Sequence, residues 1–161
     1  MKKVEFVNTN YREVRDFVLS LSAHERLYYE IQWGDLEAEA IFIKGYRNDD
    51  KLTGIAGISQ KYFIAYSAFY VVKESYWGKG IGTGMTLDIM QWAKEHHIPC
   101  IIIQYSPQNI GMARALEKAG IPRGIKMGKS SCNIVPTGSW ALPAKYAMFI
   151  LVWGHTKLKG W

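Results

Sequence analysis

In the segment Val71–Thr83, a β-type run (Val71-Val72) passes through Lys73-Glu74-Ser75-Tyr76-Trp77 into Gly78-Lys79-Gly80-Ile81-Gly82-Thr83. With Gly84 this makes four glycines in seven residues, and apolar residues then resume at helical spacing. A strand, a glycine-rich turn and a helix start are therefore expected in that order. The first backbone N–H groups of a helix have no partner within it. They converge on one point and add to the positive end of the helix dipole, which suits a phosphate or a diphosphate. Glycines let the chain turn there and let an anion approach the backbone without a Cβ in the way. Two familiar phosphate motifs do not fit. Gly78-Lys79 is followed by Gly80 where the Walker pattern needs Ser or Thr. A dinucleotide fingerprint begun at Gly78 would need glycine at Thr83, and it lacks the later acidic residue.

Other reactive side chains are sparse. Cys100 and Cys132 stand far apart without metal-ligand spacing. Two buried thiols are the expected reading, with one disulfide as the alternative. His96-His97 is the only histidine pair, at an expected helix end, where neighbouring side chains diverge by about 100°. No structural metal is predicted. Twenty Lys and Arg against fourteen Asp and Glu give a net charge of +6, which draws anions. The basic residues are scattered, with no stripe of cations and aromatics such as nucleic acid would need.

The elements that must hold the glycine turn can be read along the chain. Val4–Asn8 opens as a strand. Asn10 and Glu13 resemble a capping box, followed by Val14, Phe17, Val18 and Leu21 on one helical face. Ser22 and Glu25 repeat the capping signal for a second helix, from Ala23 to about Gln32. Ala38–Lys44 and Leu52–Gln60 form a hairpin across Gly45–Asp50, and Tyr62–Val72 is a central strand, apolar on both faces. After the glycines, Met85, Ile89, Trp92 and Ala93 share a helix face. Cys100–Tyr105 is a compact apolar strand. Ser106-Pro107-Gln108-Asn109 is a turn offering helix caps, and Met112, Ala113, Leu116 and Ala119 face one side of a helix closed by Gly120. Gly124–Cys132 and Lys145–Trp153 read as final strands. A meander joined to a βαβ unit makes the fold α/β or α+β with a mixed sheet. The 161 residues fit one domain, 1–161. No apolar run reaches the ~18 residues of a membrane span, and Met1-Lys2-Lys3 leads into no apolar signal core, so a cytoplasmic protein is expected.

At this point the residues resemble a known family. Val72–Gly82, then Asn109 and Leu116-Glu117-Lys118-Ala119-Gly120-Ile121, look like the two motifs of the GNAT acetyltransferases. These are Arg/Gln-x-x-Gly-x-Gly/Ala after the fourth strand and a downstream Asn-x₆-Tyr-Glu-Lys-x-Gly-Phe. Gly80 and Gly82 match the first, and Asn109, Glu117, Lys118 and Gly120 match the second, in the family's register. The resemblance implies a single-domain GNAT-like fold, a mixed sheet of about six to seven strands flanked by about four helices. It implies acetyl-CoA as acyl donor and a small-molecule or peptide amine as acceptor, with a homodimer left open. Main-chain groups of Tyr70, Val71 and Val72 would pair with the pantetheine arm of CoA. Amides within Trp77, Gly78, Lys79, Gly80, Ile81, Gly82 and Thr83 would hold the diphosphate, and Asn109 would contact the cofactor. Lys79 would add a cationic contact or stand solvated.

Two departures bear on catalysis. Leu116 stands where many members place a tyrosine acid, and Gln104 where some keep a carboxylate base; Trp77 takes the usual Arg/Gln position. Transfer from a thioester to an amine asks for an unprotonated amine, a donor to the carbonyl oxygen and a proton for sulfur. The amide near Val72 suits the second, and Tyr105 or Ser106 suits the third, Ser106 being also a ready turn or helix cap. Glu30 and Glu39 lie in the region bordering the acceptor, and a water-mediated base is the default. The alternative from another class is a regulatory module that binds CoA without catalysis.

Overall fold

A computed structural model describes residues 5–8, 11–27, 40–61, 65–127 and 130–137. The expected strand over Lys145–Trp153, the later turns of the second helix, the first residues of the strand expected from Tyr62, and Glu30 and Glu39 lie outside them. The described elements are β1 (Glu5–Asn8), α1 (Tyr11–Leu19), α2 (Ala23–Leu27), β2 (Ala40–Asn48), β3 (Lys51–Lys61) and β4 (Ala65–Val72). A short 3-10 turn (Glu74–Tyr76) leads to α3 (Ile81–Glu95), followed by β5 (Cys100–Tyr105), α4 (Ile110–Lys118), β6 (Ile125–Met127) and β7 (Ser130–Pro136).

The strands form one seven-stranded sheet in the order β1-β2-β3-β4-β5-β7-β6. All neighbours are antiparallel except β4 and β5, the parallel pair that α3 connects. This is the mixed sheet expected from a meander joined to a βαβ unit. Alternation along β4 sorts its side chains between two cores. Ala68 and Val72 face α3 and α4 in a cluster with Met85, Ile89, Ile103 and Leu116. Phe69 and Val71 face α1 beside Val14, Phe17 and Leu21. The sheet is therefore the middle of three layers, and β4 is buried on both sides.

Two sequence expectations are corrected. The β2–β3 connection is much shorter than Gly45–Asp50, because β2 runs on through Asn48. The turn is Asp49-Asp50, at φ 50° and 61°, the left-handed pair that suits a two-residue hairpin and that aspartate tolerates. The strand expected over Gly124–Cys132 is two strands, β6 and β7, paired antiparallel from Ile125↔Cys132 to Met127↔Ser130. The reading of the cysteines holds. Cys100 and Cys132 are buried free thiols, opposite Pro136 and Gln104 in the β5–β7 register. Burial raises both thiol pKa values, that of Cys132 to about 11, which leaves them poor nucleophiles.

Candidate functional site

The site begins where β4 and β5 part. They pair only at Ser67↔Ile102 and Ala68↔Ile103. Beyond that, β5 continues to Tyr105 alongside β7, while β4 stays with β3 as far as Val72. Alternate residues of an antiparallel strand turn both backbone groups towards one neighbour, and the residues between turn theirs the other way. The Lys73 amide donates to the Thr53 carbonyl at 2.9 Å, which sets that alternation. Phe69 and Val71 bond to β3, so Tyr70 and Val72 turn their amides and carbonyls into the opening on the β5 side. Of the three strand residues singled out in the sequence, Val71 is thus committed to the sheet, and the other two form the open edge. An open strand edge is a template for an extended chain bearing amides.

One group on that edge has an internal partner. The indole nitrogen of Trp77 donates to the Val72 carbonyl at 2.8 Å, although Trp77 is 44% exposed. The Trp77 amide is also used, donating to the Glu74 carbonyl at 3.0 Å to close the 3-10 turn. The Trp77 amide is therefore not among the free donors of the turn. The Tyr70 side chain packs against the core on the α3 side. Its hydroxyl is buried beside Thr86 without a hydrogen bond of good geometry, and burial raises its pKa despite Thr86.

The turn then delivers the chain to α3. Gly78 and Gly80 have φ of 75° and 82°, a region that costs other residues steric strain. Gly80 is the N-cap of α3, and no side chain caps the helix. The first helical bond runs from the Gly84 amide to the Gly80 carbonyl at 3.0 Å. The amides of Ile81, Gly82 and Thr83 are thus the unpaired donors of the first turn, and no acidic residue stands in it to neutralise them. Ile81 is buried and fixes the helix start against the core. A Cβ at Gly82 would lie 3.4 Å from that of Ala115 on α4, an ordinary contact, so the packing of the two helices does not itself require glycine there. The Lys79 ammonium lies 4.5 Å above the Tyr76 ring, so a cation–π contact holds it over the turn.

Across the opening stand the candidates at the end of β5. Tyr105 is half-buried, and its hydroxyl accepts from the Gly124 amide at 3.2 Å, keeping its own proton to donate. The Ser106 hydroxyl accepts from the Gln108 amide at 3.3 Å, a turn cap rather than the cap of α4. That helix is capped by Asn109, whose Oδ1 accepts from the Met112 amide at 2.9 Å. The cap leaves the Asn109 carboxamide nitrogen as a donor at the same end of α4. Leu116 is wholly buried, and Gln104 is exposed. Among the described residues, no three His, Cys, Asp or Glu side chains gather as metal ligands.

The sequence reading puts Glu30 of the second helix near the acceptor but does not bring the start of that helix to the glycine turn. Ser22 and Glu25 do form the expected capping box: Glu25 accepts from the Ser22 amide at 2.6 Å, and the Ser22 hydroxyl accepts from the Glu25 amide at 3.1 Å. But Glu25 also accepts from the Glu74 amide at 2.6 Å, across to the β4–α3 turn. His24 stands beside it, 3.7 Å from the Glu74 carboxylate and with its ring 6.2 Å from that of Trp77. Nothing in the local pattern of Ser22–Leu27 announces a partner so distant in sequence.

Comparisons with known proteins agree with this geometry. The profile described as the Acetyltransferase (GNAT) family matches residues 8–121. No curated protein matches the chain in sequence. Among solved structures, a GNAT-family acetyltransferase from Streptococcus pneumoniae superposes with a TM-score of 0.66 at 14% identity, covering 84% of this chain and 100% of that one. The aminoglycoside acetyltransferase AAC(6')-Ib in complex with coenzyme A gives 0.63 at 15%, covering 91% and 99%. The ribosomal-protein-S5-alanine acetyltransferase of Vibrio fischeri gives 0.54 at 21%, covering 68% and 69%. At such identities the likeness establishes the fold. The profile match runs from the end of β1 to just past α4, across the parted strands and the uncapped helix start, and by it the chain belongs to the GNAT family of acetyltransferases.

Proposed function

We propose that this chain is an acetyl-CoA-dependent N-acetyltransferase that delivers the acyl group to a primary amine by direct attack, acting as one domain in the cytoplasm. The observation that carries this reading is the opening between β4 and β5, one edge lined by Tyr70 and Val72, beside the bare amides of Ile81, Gly82 and Thr83. When bound, acetyl-CoA supplies an activated acyl thioester. The α3 amides, with those of the Gly78–Gly80 turn, hold its diphosphate, and the Lys79 charge adds attraction. Tyr70 and the Val72 amide hold the pantetheine arm as an added strand, and the Val72 amide is the donor nearest the thioester carbonyl. Asn109 donates its carboxamide nitrogen to the cofactor while its oxygen caps α4.

Tyr105 and Ser106 retain hydroxyl protons for the departing sulfur. A water chain removes the proton of the amine. The acceptor is a small molecule or a peptide amine. Among the described residues no helix is long and apolar enough to cross a membrane.

A second reading, a CoA-binding module without transferase activity, draws support from Leu116, a buried hydrocarbon where the family's second motif offers tyrosine. A panel of amines assayed with acetyl-CoA for released thiol decides between the two. The panel should include peptides with free N-termini, lysine, polyamines and aminoglycosides. Turnover with at least one amine supports the enzyme; cofactor binding with no thiol release supports the module. Once an acceptor is found, Tyr105→Phe and Ser106→Ala are each expected to lower kcat with little change in CoA affinity. A residue whose loss leaves kcat unchanged is not the proton donor.

A further inference from the structure

Glu25 is a buried carboxylate, 7% exposed, and both its oxygens are engaged by backbone amides. One oxygen closes the capping box of α2. The other holds the amide of Glu74, the first residue of the 3-10 turn between the open edge of β4 and the glycines. Hydrogen bonds to a charged acceptor are roughly twice as strong as neutral ones, and 2.6 Å is short for an N–H donor. The surroundings are arranged to match. The Lys73 charge favours the ionised form of Glu25, and its ammonium lies 5.6 Å over the Phe17 ring of α1. His24 contacts both Glu74 and Trp77, and Trp77 in turn holds the Val72 carbonyl. The α1–α2 segment therefore grips the turn at its entrance, on the opposite side of the sheet from α3.

Resting on the CoA reading above, we propose that Glu25 is a positioning residue for the diphosphate turn: its carboxylate fixes the Glu74 amide, and so fixes the path from the β4 edge to the bare amides of α3. The position matters because the turn ends in two glycines at positive φ, which bring no side chain of their own to anchor it. Donors held in place before the ligand arrives spare it the cost of ordering them. By thermodynamic reciprocity, CoA bound at α3 must in turn steady α2.

The test compares CoA with pantetheine, which keeps the arm but has no diphosphate, by calorimetry and by amide NMR. Glu25→Gln offers one acceptor to two amides and points an NH₂ group at the other. It is expected to weaken CoA binding about tenfold while leaving the pantetheine-induced shifts at Tyr70 and Val72 as in the wild type. Ser22→Ala removes the hydroxyl of the cap but keeps the bond to Glu74, and is expected to retain CoA affinity. In the wild-type protein, saturating CoA is expected to slow hydrogen exchange at the Glu74 amide and within Ser22–Leu27, a readout that stands even where Glu25→Gln does not fold. The proposal is overturned by CoA affinity within twofold of wild type in Glu25→Gln, by equal weakening of both ligands, or by unchanged exchange in α2. Failure of the wild type to bind CoA would instead remove the cofactor reading itself.

Discussion

Gly80 and Gly82 share a motif, yet the structure asks different things of them. Gly80 sits at φ 82° with open space where a Cβ would stand, so Gly80→Ala meets no clash and only backbone strain. A cost of about 1–2 kcal/mol is expected in stability, together with weaker CoA binding. Gly82 has helical geometry and only an ordinary contact to Ala115, and alanine favours a helix by about 1 kcal/mol over glycine. Gly82→Ala should therefore leave the melting temperature unchanged or raised, yet still weaken CoA binding if its amide faces the diphosphate. Equal effects in melting and in calorimetry at both positions would refute this division. At this scale the glycine turn was legible because positive φ and bare amides leave a compositional trace. The bond from the Trp77 indole to the Val72 carbonyl was not, since an aromatic residue in a turn carries no mark of which carbonyl it reaches.

Among the elements, α2 combines a cap with the bond to Glu74, and the proposed function gives the cap of α4 a second task at the cofactor. Asn109→Ala removes the bond to the Met112 amide and should cost about 1 kcal/mol, or about 3 °C in Tm for a domain of this size. Asn109→Asp keeps the acceptor and adds a charge that suits a helix start. It should melt near the wild type but bind CoA more weakly, because the carboxamide donor is gone. Retained affinity in Asn109→Asp would confine Asn109 to capping.

Glu25 gives a prediction in pH. Burial acts to raise its pKa, but the bonds from the Glu74 and Ser22 amides, the Ser22 hydroxyl and the Lys73 charge outweigh it, and the folded pKa lies below the ordinary 4.5. A depressed carboxylate contributes its stability above the unfolded value and loses it as pH falls through the folded one. Glu25→Gln should thus melt below the wild type at neutral pH, and the gap should narrow once pH drops beneath 4.5. A gap independent of pH would contradict the assignment. The capping box itself was readable from Ser22 and Glu25, three residues apart. The reach to Glu74 depends on how α2 docks, which no local period records. The hairpin shows the same limit in small: turn-forming residues fill Gly45–Asp50, but the register against β3 keeps four of them in strand and leaves the bend to Asp49-Asp50.

For the whole molecule, the change from a strand meander to a strand–helix–strand unit was enough to specify a mixed sheet, because each switch of hydrophobic period marks one element. What periodicity could not specify is where β4 and β5 stop pairing. That point follows from β5 continuing along β7 while β4 stays with β3, a property of three strands together. The parting creates the opening, and the opening next to an uncapped helix is the basis for reading the chain as an acetyl-CoA-dependent enzyme. An NMR titration of the ¹⁵N-labelled protein with coenzyme A tests that most directly. Saturable shifts concentrated at the amides of Tyr70, Val72, Gly78–Thr83 and Asn109 are the predicted result. Shifts centred on another surface, or a spectrum unmoved by millimolar coenzyme A, would contradict it.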